Sequence, residues 1–254
     1  MSSIKEYAFE VEQERCLAWI KRQYGVEIDP DEDPETWEVL SAEYSAMLDA
    51  EMEEAEYRWL ERHSHNEFFN DFSRELATAS DLLELGHDDQ RSQTVYKLVY
   101  AHAVTLLEAL ISSVVRTLVV NYESVMMNVA TGYEELSKKK FTLKEVAMQP
   151  KGVESIVLKT LTELSFHNPS TIKTVLDAMF GKHMLGLKLD EISSICIKRH
   201  DIVHRNGRTV DDEPIHFDCA EVLQAIMTIR EFAADLKRRI YNAVQQLEQE
   251  ASPF

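Results

Sequence analysis

The sequence predicts a nearly all-α protein. Only seven glycines and six prolines interrupt its 254 residues, so the expected turns are few. Long runs rich in Leu, Ala, Glu and Lys lie between these glycines and prolines, and such residues favour helix. Apolar side chains also return at helical spacing in successive segments. With 44% hydrophobic residues, the chain can bury a substantial core.

The N-terminal region predicts an acidic helical hairpin. Residues 3–24 carry a loosely helical apolar pattern, and the stretch 26–34 predicts a loop because prolines and carboxylates oppose helix. A second helix is predicted over about 34–64. All three tryptophans lie in residues 1–62, which contain 18 acidic and six basic side chains and so account for −12 of the formal charge of −18. We assign residues 1–80 to this extension. It either anchors onto the main core, or recognises a partner or covers a basic site.

Further helices are predicted downstream of a weak break at Leu85–Asp89. The helical patterns cover about Gln90–Tyr122, Val153–Leu164, Thr171–Phe180 and Asp190–Arg205, followed by a long final helix. Residues 131–150, with a lysine run at 138–140, predict a turn or short helix. These segments predict a helical bundle over about residues 90–249.

Capping residues fix several of these ends. Ser170 is expected to cap the helix that Gly181 stops. Asn206–Gly207 is a typical C-terminal signal. Asp218, followed three residues later by Glu221, resembles a capping box that opens the final helix.

Composition also limits the function. Cys16, Cys196 and Cys219 show no paired spacing, and the first residues lack an apolar signal core, so we expect a reducing cytoplasm. The longest apolar region, about Leu106–Val120, contains polar and charged residues such as Glu108, and we expect it not to span a membrane. The acidic field counts against non-specific binding of duplex DNA.

The densest chemistry lies at Lys198–Gly207, at the end of a predicted helix. Two imidazoles, three cations and a carboxylate are gathered there. A guanidinium can hold two phosphate oxygens, and an imidazole can exchange a proton near neutral pH.

Arg199 and His204 point about 140° apart on a helix, so two protomers abutting along it would form a fuller site. One imidazole would then take the 2′-OH proton of RNA and another protonate the leaving 5′-oxygen. As alternatives, the cations only complement the helix macrodipole, or a zinc hydrolase uses His200 and His204.

The zinc alternative has a partial motif. His200 and His204 are spaced i, i+4, which places both imidazoles on one side of a helix, as in H-E-x-x-H peptidases. However, Asp201 is shorter than the Glu of that motif. His216 is the only nearby third ligand. We therefore expect no metal and no other cofactor.

The motif Arg199-x4-His204, within RHDIVHRNG and just before a final long helix, resembles the HEPN superfamily. The upstream long helix with its acid in LLEAL (106–110) is similar to that of the ribonuclease-type HEPN proteins of bacterial conflict systems. The resemblance covers about residues 90–249. It implies an all-α bundle that dimerises around the motif and cleaves single-stranded RNA or tRNA without a metal, as a toxin or antiphage effector.

The resemblance also implies residue roles. Arg199 would bind phosphate, His204 would be the catalytic imidazole and His200 would support the site. Asp201 would either orient His204 or pair with Arg205, and Glu108 would either hold Arg199 for catalysis or pair with it structurally. Further RNA contacts are expected from basic and polar residues of the same segment, namely Lys198, Arg205, Asn206 and Arg208.

The resemblance leaves activity and partners open. Some HEPN proteins are non-catalytic scaffolds that bind RNA or protein. The expected partners are a second copy of the chain, RNA and an antitoxin or defence-system protein, with no membrane.

Overall fold

The computed structural model describes the backbone of residues 4–85 and 89–251, and the side chains of residues 6–84 and 91–250. The expected all-α class is confirmed, because the described chain forms helices and only one isolated bridge, between Arg208 and Pro214. It divides into two compact units, Met1–Trp59 and Leu60–Phe254.

The N-terminal unit is built mainly from two helices that match the predicted hairpin. They are α1 (Ile4–Tyr24) and α2 (Pro34–Arg62). The Trp19 ring lies 5.4 Å from Tyr44, and the Tyr24 hydroxyl donates to Glu43 at 2.5 Å. Aromatic and polar contacts therefore tie the two helices together.

The second unit is a helical bundle. Its helices are α3 (His65–Asp81), α4 (Asp89–Asn121), α5 (Glu123–Gly132), α6 (Glu134–Ser137), α7 (Leu143–Met148), α8 (Val153–Thr162), α9 (Pro169–Phe180), α10 (Asp190–His204) and α11 (Cys219–Ala251). Short 3-10 turns at Leu82–Leu85 and Gly181–Met184 follow α3 and α9. Helix α4 is central and packs against α3, α5, α8, α10 and α11.

The bundle begins earlier than the sequence interpretation placed it. Residues 65–81, which fall within the predicted 1–80 extension, form α3, and α3 belongs to the second unit. The reason is its aromatic face: Phe68, Phe69 and Phe72 are buried in the bundle core. Ser64 starts α3 with a capping box to Glu67.

Other element ends follow their caps. The predicted box between Asp218 and Glu221 is present, with Glu221 N–H donating to Asp218 Oδ1 at 2.7 Å. The predicted Ser170 cap is wrong. Asn168 accepts from Ser170 N–H instead, and Pro169 takes the first helical position, where its missing N–H costs nothing. The predicted break at 85–89 lies partly outside the described residues, because 86–88 are not described.

Helix α4 is apolar enough to raise the question of a membrane. By length and composition, the span Arg91–Asn121 is the one such helix in the described chain, but 56% of its most apolar window is buried inside the protein. A central core helix has the same composition.

Candidate active site

Helix α10 carries the Arg-x4-His motif and presents its two members to different surroundings. The side chains of Ile192 and Cys196 are buried in the bundle core. Arg199 follows these positions by seven and three residues, so it shares their inward face. His204 is exposed near the helix end. Helix geometry places these two side chains about 140° apart. The cation of Arg199 therefore faces inward, and the imidazole of His204 faces outward.

Arg199 is a largely buried cation with few partners. Its side chain is 16% exposed, and its Nη2 lies 3.6 Å from Oε2 of Glu108 on α4. That distance is an ion pair but too long for a hydrogen bond. The Arg199 Nε is buried and has no hydrogen-bond partner in the described chain. A buried guanidinium with unused donors is costly for stability, which is typical of a group kept for a ligand.

Glu108 contacts two segments at once. While Oε2 faces Arg199, Oε1 lies 2.7 Å from Nδ1 of His167, in the loop between α8 and α9. The Glu108 side chain is only 20% exposed. The carboxylate therefore joins α4, α10 and the loop at 165–168 in one cluster, and we call Glu108, His167 and Arg199 the Glu108 cluster.

The sequence interpretation had not included His167 in the site. The residue lies in a polar loop that the sequence reveals only as a connection. Its neighbour Ser165 places Oγ 2.6 Å from Nδ1 and 3.2 Å from Nε2. In serine–histidine sites of acyl transfer, the serine hydroxyl lies in line with Nε2 and therefore much farther from Nδ1. Ser165 and His167 do not have that geometry.

A buried thiol lies beside the Glu108 cluster. Burial, reinforced by the Glu108 carboxylate and opposed by Arg199, raises the pKa of Cys196 to about 11. The thiol is therefore protonated near neutral pH and unsuited to nucleophilic attack. The chemistry of this region belongs to its imidazoles and guanidinium.

His200 and His204 form an exposed pair. Their ring centroids are 4.6 Å apart, with the planes tilted by 39°. Across the described residues, no group of three or more His, Cys, Asp or Glu side chains gathers as a metal site. The zinc alternative thus has two imidazoles at i, i+4 and no third ligand such as His216 beside them.

Asp201 has a structural partner. Its carboxylate accepts a hydrogen bond from Arg205, one turn later. Its backbone carbonyl accepts from the N–H groups of Arg205 and Gly207. Of the two roles considered for Asp201, pairing with Arg205 is the one that the structure contains, and this pairing closes the end of α10.

The other predicted RNA-binding residues are partly engaged within the chain. Lys198 lies over the Phe217 ring at 4.8 Å. Arg208 donates to the Asp212 carbonyl at 2.6 Å. Asn206 is exposed, with a left-handed φ of 52°. The motif's cations therefore also organise the loop at 205–218.

Lys97 is a second residue that the sequence did not single out. It lies eleven residues before Glu108, so both project from one side of α4 about 16 Å apart. A Cβ built on Gly207 would lie 2.6 Å from Lys97 Nζ. The lysine therefore reaches the end of α10, and α4 and α10 run in opposite directions past each other.

Fold and motif together define a helical bundle of the HEPN superfamily. The chain matches the RiboL-PSP-HEPN family over residues 67–242. This protein belongs to that family. The match begins within α3, in agreement with the bundle boundary in the structure. No curated protein and no solved structure matches the chain. Family membership indicates a ribonuclease or nucleotide-binding type of function.

Proposed function

We propose that this protein is a metal-independent endoribonuclease that cleaves single-stranded RNA or tRNA. The observation that carries the proposal is Arg199, a 16% exposed guanidinium with a buried, unpartnered Nε and a single ion pair to Glu108. Its free donors suit phosphate oxygens, and the exposed His204 on the same helix supplies an imidazole.

The proposed reaction uses the 2′-OH of RNA as nucleophile. His204 acts as acid or base, Arg199 stabilises the charge that develops on phosphorus, and the product carries a 2′,3′-cyclic phosphate. The nucleophile is already attached to the substrate, so little entropy is lost in bringing it into place. DNA lacks this hydroxyl and should resist cleavage.

We further propose a symmetric cytoplasmic homodimer with two α10 helices facing each other. In one protomer, Arg199 lies on the inward face of α10 and His204 on the outward face, and a two-fold axis that crosses α10 between these two residues would bring His204 of one copy toward Arg199 of the other. Dimers mixed from His204→Ala and Arg199→Ala chains should regain part of the activity only if each site uses both copies. A fully active monomer by light scattering would contradict this arrangement.

The biological setting that we propose is a toxin or antiphage effector, controlled by an antitoxin or defence-system protein. It is supported by the resemblance to ribonuclease-type HEPN proteins. The matching experiment is induced expression in a bacterial host, where wild type should arrest growth and His204→Ala should not.

The enzymatic test uses the purified chain with end-labelled RNA, tRNA and DNA of equal sequence, with and without chelator. His204→Ala should lose about 10²-fold or more in rate. Arg199→Ala should lose a similar factor, and Arg199→Lys should regain little, because the bidentate fork is lost. Arg230→Ala, at an exposed position of α11, is the matched control. Cleavage of DNA, or loss of activity with chelator, would contradict the mechanism.

A binding scaffold is the second candidate function. The ion pair between Arg199 and Glu108 would then only fix α10 on α4. RNA binding by the wild type without cleavage of any substrate would identify this case.

A further inference from the structure

His167 is an imidazole beside the proposed phosphate-binding cation that the Arg-x4-His motif does not include. It lies in the connection between α8 and α9, which brings it against the middle of α4. Its Nδ1 is 2.7 Å from Glu108 Oε1, and the other oxygen of the same carboxylate is 3.6 Å from Arg199. One carboxylate thus separates the imidazole from the guanidinium.

The contact with Glu108 defines how the His167 ring can act. An ionised carboxylate only accepts hydrogen bonds, so this network assigns the proton of the neutral ring to Nδ1. The lone pair is then on Nε2. The His167 side chain is 46% exposed, so a substrate can reach the ring. A carboxylate behind Nδ1 also holds the ring in place while Nε2 accepts a proton.

Nearby groups support the same assignment. Among the residues whose side chains the structure describes, Glu108 of α4 contacts His167, and Arg199 of α10 lies behind that carboxylate. Ser165 Oγ lies beside the ring, 2.6 Å from Nδ1 and 3.2 Å from Nε2, and restrains it within its own loop. The imidazole is therefore oriented by Glu108 and Ser165, and a side chain that is 46% exposed leaves Nε2 within reach of a substrate, as a proton acceptor requires.

We propose that His167 is the general base of the RNA cleavage reaction, an assignment that rests on the proposed function. Nε2 takes the proton of the 2′-OH as the 2′-oxygen forms its bond to phosphorus. The bond from phosphorus to the 5′-oxygen breaks, and His204 of the same or the partner subunit gives its proton to that oxygen. The site gains one proton at His167 and loses one at His204, and no metal or co-reactant is consumed.

This assignment gives each imidazole a different task. Within the described part of the chain, His204 contacts the exposed His200 ring and no carboxylate, whereas His167 has a carboxylate behind it. The carboxylate behind His167 orients its ring as a base requires, and His204 is left as the acid. With this assignment, every protomer carries both the base His167 and the acid His204, in addition to Arg199.

A purely structural His167 would only fasten its loop to α4, and one substitution separates the two roles. In His167→Asn, the side-chain amide can still donate to Glu108 from about the position of Nδ1, while the proton acceptor at Nε2 is lost. His102→Asn is the control, because His102 is exposed on the same helix as Glu108. Helix content by circular dichroism and RNA affinity with a 2′-deoxy substitution at the cleavage site are measured for each variant.

The experiment compares pH–rate profiles of cleavage. Wild type should show a bell, with a rising limb from the base and a falling limb from the acid. His167→Asn should keep its fold and its affinity for the uncleavable RNA, lose about 10²-fold in rate and lose the rising limb. His102→Asn should match wild type. Added imidazole should restore part of the activity of His167→Ala.

The outcomes separate this assignment from the proposed function. If wild type and His102→Asn cleave RNA, His204→Ala does not, and His167→Asn is fully active, the His167 assignment is wrong and the proposed function stands. A slower His167→Asn that keeps the rising limb would also overturn it. If wild type cleaves no RNA, the proposed function fails, and the assignment fails with it.

Discussion

Replacing Arg199 and Glu108 separately should have unequal effects on stability. At 3.6 Å and an effective dielectric constant of about 20, two unit charges attract by about 4–5 kcal/mol. Removing both ions from water costs a comparable amount. The pair as a whole therefore adds little to the free energy of unfolding.

The asymmetry comes from what each residue keeps when the other is removed. In Arg199→Met, Glu108 still has His167 at 2.7 Å, and the change in unfolding free energy should stay within about 1 kcal/mol. In Glu108→Gln, Arg199 is left buried with no counter-charge and an unpartnered Nε. The cost should be about 2–3 kcal/mol.

The assay is urea unfolding followed by two signals. All three tryptophans lie at or before residue 59, so circular dichroism reports mainly on the bundle and tryptophan fluorescence on the N-terminal unit. Glu134→Gln is the control, because the ion pair of Glu134 with Lys138 is exposed. Its loss should change the free energy of unfolding by less than about 1 kcal/mol. If Arg199→Met destabilises the bundle as much as Glu108→Gln, Arg199 is a structural residue and the reasoning fails.

Three further predictions follow from other parts of the chain. Gly207→Ala should lower the unfolding free energy by about 1–2 kcal/mol, measured by urea unfolding, because φ is +75° and Lys97 occupies the space of a Cβ. In native protein at pH 8, Cys196 should resist iodoacetamide far longer than the less buried Cys219, as mapped by mass spectrometry, because its pKa is raised to about 11; equal labelling would contradict this. Deletion of residues 1–75 should abolish cooperative unfolding, because it removes much of the buried face of α3, so tests of the acidic extension as a lid or docking surface must keep α3.

Local signals predicted most of the fold. Helix ends were predictable where a cap and a stop agree, as at Asp218–Glu221 and Asn206–Gly207. The same rules applied to Ser64 and Glu67 would have revealed α3. The charge pattern alone extends the acidic region too far along the chain.

The site was predictable only along single helices. The sequence placed Arg199, His200 and His204 on α10 and named Glu108 as a partner for Arg199, and the structure has that ion pair. It could not place His167, because contact between the loop at 165–168 and α4 depends on how α8 and α9 pack. Sequence spacing carries no information about such distant contacts.

The Glu108 cluster also determines when during synthesis the site can exist. Arg199 follows His167 by 32 residues and Glu108 by 91 residues in the chain, so it leaves the ribosome last of the three. A nascent chain carries Glu108 and His167 while Arg199 is still inside the exit tunnel. If the protein cleaves RNA, a new chain cannot use this site on the message and tRNAs that are producing it until α10 has left the ribosome.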